Sequence, residues 1–117
     1  MTPSEKSTID NCLLDFLLCG SLSHPSYLPI ALSGLLKPEG FGMDMSGIYI
    51  STDEDPDNMP EYLKEGIAFE FMEGQVTLPF RQAVEYITEW CHSREIPEAL
   101  NIEQILKMLN EKYNSPE

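Results

Sequence analysis

Positive charge is what this chain has least of: seven lysines and arginines stand against twenty aspartates and glutamates, a net charge of −13 over 117 residues. That shortage argues against an ordinary nucleic-acid binder, because neutralising a phosphate backbone takes clustered Lys and Arg. An anionic bilayer surface is disfavoured on the same ground. Long apolar runs are missing as well. The longest, Leu13 to Cys19, is broken by Asp15 and falls far short of the roughly eighteen residues that a membrane span needs. Met1 to Lys6 has no basic region followed by an apolar core and a small-residue cleavage site, so the cytoplasm is the expected compartment.

Cysteine is sparse and odd in number. Cys12 and Cys19 lie seven apart, Cys91 adjoins His92, and no Cys-x2-4-Cys pair occurs, which predicts buried thiols in a reducing compartment instead of disulfides or a zinc centre. The glycines Gly40, Gly42 and Gly47 fit neither Gly-x-Gly-x-x-Gly nor the lysine-terminated phosphate loop, so they are expected to serve turns. His24 lies beside Ser23 and Ser26 but outside any Gly-x-Ser-x-Gly elbow, and His92 has no orienting motif. A hydrolase using either histidine is the least favoured reading, and no cofactor or metal is expected.

What is present is centred on Gly66 to Cys91. Ile67, Phe69 and Phe71 alternate with Ala68, Glu70 and Met72 at the period of two that gives a strand one apolar face. Glu73-Gly74 is the predicted two-residue reversal, since glycine takes positive φ freely, and Val76 with Leu78 continue the apolar face on the return strand. From Phe80 the period changes: Phe80, Ala83, Val84, Ile87, Trp90 and Cys91 recur at helical spacing. Ile48-Tyr49-Ile50 supplies a third strand.

Before it, residues 1–6 are expected to fray. Ser7 or Thr8 would cap a helix carrying Ile9, Cys12, Leu13, Phe16, Leu17 and Leu18, and a short helix is predicted from about Pro29 to Leu36. At the far end Asn101, with Gln104 three residues on, reads as a capping box for a helix striped by Ile102, Ile105, Leu106, Leu109 and Tyr113. The prediction is an α+β fold in one domain, residues 1–117. A small antiparallel sheet of about three or more strands would pack with N-terminal and C-terminal helices.

Charge is unevenly spread. Residues 39–73 hold Glu39, Asp44, Asp53, Glu54, Asp55, Asp57, Glu61, Glu65, Glu70 and Glu73 against Lys64 alone, a balance of −9. Ten carboxylates in one third of the chain repel one another, a cost that a cationic partner would relieve. Asp53, Asp55 and Asp57 imitate the opening of a calcium loop. The sixth position, however, is Asn58 instead of Gly and the twelfth is Lys64 instead of Glu, so both the sharp turn and the bidentate ligand are missing. A solvated acidic loop without any partner is the plain alternative.

This order of elements resembles the immunity proteins of bacterial contact-dependent growth inhibition systems, in particular those that neutralise ribonuclease toxin domains. It comprises two apolar helices, a glycine-flanked strand, an acidic connection, Gly66-Ile67-Ala68-Phe69-Glu70-Phe71 with its hairpin, and the helix Phe80-Arg81-Gln82-Ala83-Val84-Glu85-Tyr86-Ile87. The likeness is clearest over residues 47–110 and rests on hydrophobic pattern. It implies a cytoplasmic, non-enzymatic protein that binds a cognate toxin with a basic surface and blocks its active site. Within that reading Asp53, Glu54, Asp55, Asp57 and Glu61 would supply charge, with Tyr49 and Tyr62 as aromatic anchors. A small acidic adaptor that docks on a basic protein without inhibiting it is the alternative.

Overall fold

The first helix starts earlier than the sequence reading placed it. In the computed structural model, which describes residues 1–114, α1 runs Pro3–Leu18. Its cap is Thr2, not Ser7 or Thr8: the Thr2 hydroxyl accepts from the Glu5 N–H at 3.1 Å while the Glu5 carboxylate accepts from the Thr2 N–H at 2.9 Å. Thr2-x-x-Glu5 is a complete capping box, and Pro3 fills a first-turn position whose N–H would be unsatisfied anyway. Residues 3–6 are therefore the first turn of the helix, capped by Thr2, instead of a frayed end. Helix α2 spans Leu28–Gly34.

Four antiparallel strands follow in the order β1-β2-β3-β4: β1 Phe41–Gly42, β2 Ser46–Ile50, β3 Ile67–Phe71 and β4 Gly74–Leu78. The α+β architecture is as the sequence predicts, with the two-residue β1 as a fourth strand. Ile48 faces Phe69, which faces Val76. Ile50 faces Ile67, which faces Leu78. These two rows make one apolar face, and α1 lies across it with Ile9, Cys12, Leu13 and Phe16 fully buried. Helices α3, Phe80–His92, and α4, Ile102–Tyr113, pack on each other, and α4 also rests on α2. The C-terminal stripe thus packs chiefly against helices. A single cluster of buried side chains runs from Ile9 to Leu109.

Two local expectations are corrected. The β3–β4 reversal consists of Met72-Glu73, with Phe71 paired to Gly74, so Gly74 already belongs to the strand. Positive φ (55°) falls on Met72. Gly74 is small for another reason: a Cβ there would come within 2.6 Å of the Thr8 Oγ1 of α1. At the other end of the chain, Asn101 does not cap α4 through its side chain. It sits in the left-handed region (φ 60°, ψ 27°) and closes the 3-10 turn Glu98–Leu100 by donating its N–H to the Glu98 carbonyl. Asparagine tolerates that conformation better than most residues, and this tolerance is what the site uses.

Candidate functional site: an acidic loop on the open face of the sheet

Opposite α1, the alternation that buries Ile48 and Phe69 turns Gly47, Tyr49, Ala68, Glu70, Gln75 and Thr77 to the other face. Residues 51–66, between β2 and β3, fold back over part of it. The loop is closed at its base by two hydrogen bonds, Ser51 N–H to the Gly66 carbonyl at 3.0 Å and Gly66 N–H to the Ser51 hydroxyl at 2.9 Å. Gly66 has φ 111°, a conformation that side chains rarely adopt.

The Asp-x-Asp-x-Asp pattern builds this loop. The Asp53 carboxylate accepts from the Asp55 N–H at 2.9 Å, and the Asp55 carboxylate from the Asp57 N–H at 3.0 Å, two successive turns of the kind aspartate favours. Asp53 also accepts from the Gly40 N–H at 2.9 Å and the Asn58 side-chain amide at 2.8 Å, while that amide donates to the Gly40 carbonyl at 3.0 Å. Asp53 is only 8% exposed. Burial pushes its carboxyl up, but the three donors outweigh burial and hold it below the ordinary aspartate value. Among the residues expected to bind a toxin, Asp53 differs in its surroundings: its oxygens pin the loop to the Gly40 segment and face inward. Glu54, Asp55, Asp57 and Glu61 are exposed, together with Glu65 and Lys64.

The two tyrosines meet on this face. The Tyr49 side chain lies over a bed of glycines: a Cβ on Gly40 or Gly47 would come within 2.7 and 2.5 Å of its ring, and one on Gly42 within 2.6 Å of its hydroxyl. These glycines, expected to serve turns, instead give the ring room to lie flat. The Tyr62 hydroxyl donates to the Glu70 carboxylate at 2.8 Å, tying the loop to β3. Burial, then the bond to Glu70 and its negative charge, push the Tyr62 phenol far above its usual value. Burial followed by Glu70 raises that of Tyr49 as well. Both stay protonated at neutral pH. Tyr49, Asp57, Asn58, Met59, Pro60 and Glu70 line a recess of about 260 Å³. An aromatic wall between two carboxylates suits a lysine or arginine side chain, by charge and by attraction to the ring face. Glu70 is counted among the acids of residues 39–73 but not among the expected toxin-binding residues, although the alternation of Ile67, Phe69 and Phe71 points it to this face.

The groups considered for catalysis lie elsewhere. Ser23 Oγ and His24 Nδ1 are 3.2 Å apart in an exposed turn. His92 pairs with Glu103 at 3.0 Å between α3 and α4, with both side chains more than half exposed. Cys91, its neighbour, is buried, and burial pushes its thiol up to about 12. Cys12 is likewise raised to about 12 by burial, and its Sγ donates to the Gly47 carbonyl at 3.3 Å. Thiols so raised are poor nucleophiles at neutral pH. Cys19 is only half-buried. Its hydrogen bond to Asp15, more than burial, raises it. No helix among the described residues is long and apolar enough to cross a membrane. Comparisons with family models, with curated proteins and with solved structures return no match.

Proposed function

We propose that this chain is an immunity protein that binds a cognate basic nuclease toxin, of ribonuclease type, and neutralises it by occupying the active-site cleft with its acidic face. The observation that carries the reading is the sidedness of charge. Glu54, Asp55, Asp57, Glu61 and Glu65 are exposed on one loop, with the half-buried Glu70 beneath it and Lys64 as the loop's one base. A nuclease holds its substrate's phosphates with Lys and Arg, so a compact set of carboxylates with an aromatic recess can take those cations in the substrate's place. Inhibition then needs no chemistry from the inhibitor, and binding alone is the proposed activity. Charge steers the encounter, while Tyr49 and Tyr62 give the docked complex its anchors.

Co-expression with the toxin domain encoded by the neighbouring reading frame tests this. Restored growth of cells making the toxin, together with co-purification of the two proteins, is the expected result. Toxicity unrelieved by the chain would defeat the proposal. A small acidic adaptor would use the same face and co-purify without restoring growth, so the growth assay separates the two readings.

A further inference from the structure

At one end of the sheet the two hairpin tips lie side by side. Met43 donates its N–H to the Ser46 carbonyl at 2.7 Å, which leaves Asp44-Met45 as the tip of the β1–β2 hairpin. Met72-Glu73 is the tip of the β3–β4 hairpin. The Met72 N–H donates to the Met45 carbonyl at 2.7 Å, so the two tips are fastened to each other. Read across the sheet, the tips form a row of Asp44, Met45, Met72 and Glu73: two methionines in the middle and a carboxylate at each side. Met45 is 50% exposed and Met72 69%, which makes them two of the largest apolar side chains left in solvent. They stand two residues beyond Gly47 and Glu70, which face each other across β2 and β3, so the tips lie at the same end of the sheet as that pair.

The backbone sharpens the point. Met72 takes the positive φ that a two-residue reversal normally gives to glycine or asparagine, at a steric cost that glycine would avoid. A flexible, polarisable side chain held out at a strained position makes an adaptable apolar contact.

We infer that Met45 and Met72 form an apolar docking patch whose occupant is a segment of the basic partner presenting apolar side chains between two cations, matched to Asp44 and Glu73. This rests on the reading that the chain docks a basic protein and adds which part of that protein it seizes. Met72 is then a specificity-determining contact that the chain keeps against the local preference of its turn.

The test uses the full chain with methyl-labelled methionine and two blocked synthetic peptides, one with an Arg-Leu-Leu-Arg core and one with an Arg-Ser-Ser-Arg core. The Met45 and Met72 methyl resonances are expected to shift on titration with the first peptide, and at least several-fold more weakly with the second. Those of Met59 and Met108 should stay in place. Met72→Gly is expected to weaken the first peptide several-fold while raising the melting temperature, a combination that a purely structural methionine would not give. Unmoved Met45 and Met72 methyls, equal response to both peptides, or undiminished binding by the more stable Met72→Gly chain would each overturn the inference. So would a concentration-dependent dimer abolished by Met72→Gly, since the patch would then be covered by a second copy. Failure here alongside successful rescue from the neighbouring toxin removes only the patch. Peptide binding without rescue removes only the immunity reading.

Discussion

The two faces of the one sheet are built from the same strands, one residue out of step, and are put to opposite uses. On one face Ile48, Phe69 and Val76 stand in register beneath α1 and are almost wholly buried. On the other, Tyr49, Glu70 and Gln75 stand in the intervening positions, and a loop rich in carboxylates folds against the first two. A period of two lets adjacent residues answer to different demands: the first face packs as core, the second carries the ring and the carboxylate that the acidic loop folds against. Charge follows the same division. Residues 1–38, which supply α1 and α2, carry three acids and two bases, whereas residues 39–73 carry ten acids and one base.

The neighbours Phe69 and Glu70 give the largest test of this division. Phe69→Ala empties a fully buried ring position and is expected to cost about 3–5 kcal/mol. Glu70→Ala is expected to cost about 1 kcal/mol, through the lost bond from Tyr62. Urea unfolding of the two variants measures both. Comparable losses would mean that the open face is as much core as the other and would break the comparison.

Reversing the loop charges should do the opposite of Phe69→Ala. A chain carrying Glu54→Lys, Asp57→Lys and Glu61→Lys, with the turn-forming Asp55 left in place, is expected to fold at least as well, because like charges are thinned. On the proposed function, its association rate with a cognate basic toxin domain should fall by about 10- to 1,000-fold at low salt. Rates measured against ionic strength check it: the wild-type rate should drop steeply as the Debye length shrinks, and the reversed chain's should not. A wild-type rate indifferent to salt would remove the steering role.

Much of the first face was legible in the sequence and less of the second, for a physical reason. Period-two and helical spacing report burial against something, and they identify Ile67, Phe69, Ile87 and Leu106 as core without a structure. Errors fall where a residue answers to a distant neighbour. Gly74 looks like a turn glycine until Thr8, sixty-six positions away, proves to be pressed against it. Gly42 and Gly47 look like turn residues until the Tyr49 ring lies on them. Asp53 looks like one more surface charge until the N–H of Gly40 turns to it. The Thr2 to Glu5 capping box, by contrast, was open to view in a four-residue window.

Asp53 belongs to both regions, as a carboxylate of the acidic loop with the burial of a core residue, and its variants sharpen the boundary. Asp53→Ala leaves the N–H groups of Gly40 and Asp55 without their acceptor and is expected to cost about 2 kcal/mol, read by urea unfolding. Its pH dependence has a definite sign. The folded value lies below the ordinary 3.8, so its contribution is complete above that value and is lost as pH falls through the lower folded one. Asp53→Asn keeps an acceptor oxygen but cannot ionise, so acid titration of its stability should be shallower than that of the wild type below about pH 4. Identical acid profiles would show that Asp53 is not a stabilising anion.

The smallest effect is expected at Tyr62, whose hydroxyl joins the acidic loop to β3. Tyr62→Phe keeps the ring and removes one hydrogen bond, about 1 kcal/mol or less of stability near neutral pH. At high pH the difference closes. The phenol is held neutral in the fold above its ordinary value of 10, so its contribution is present below that pH and disappears as pH rises through the raised folded value. The wild type should therefore lose stability in alkali more steeply than Tyr62→Phe, and the two curves should converge. Hydrogen exchange localises the effect: with the tie to Glu70 gone, amides of residues 54–63 should exchange faster while those of β3 and α1 keep their protection. Faster exchange throughout the sheet would mean that the loop is part of the core's cooperative unit, and the two faces would then be one structure instead of a scaffold and the surface it carries.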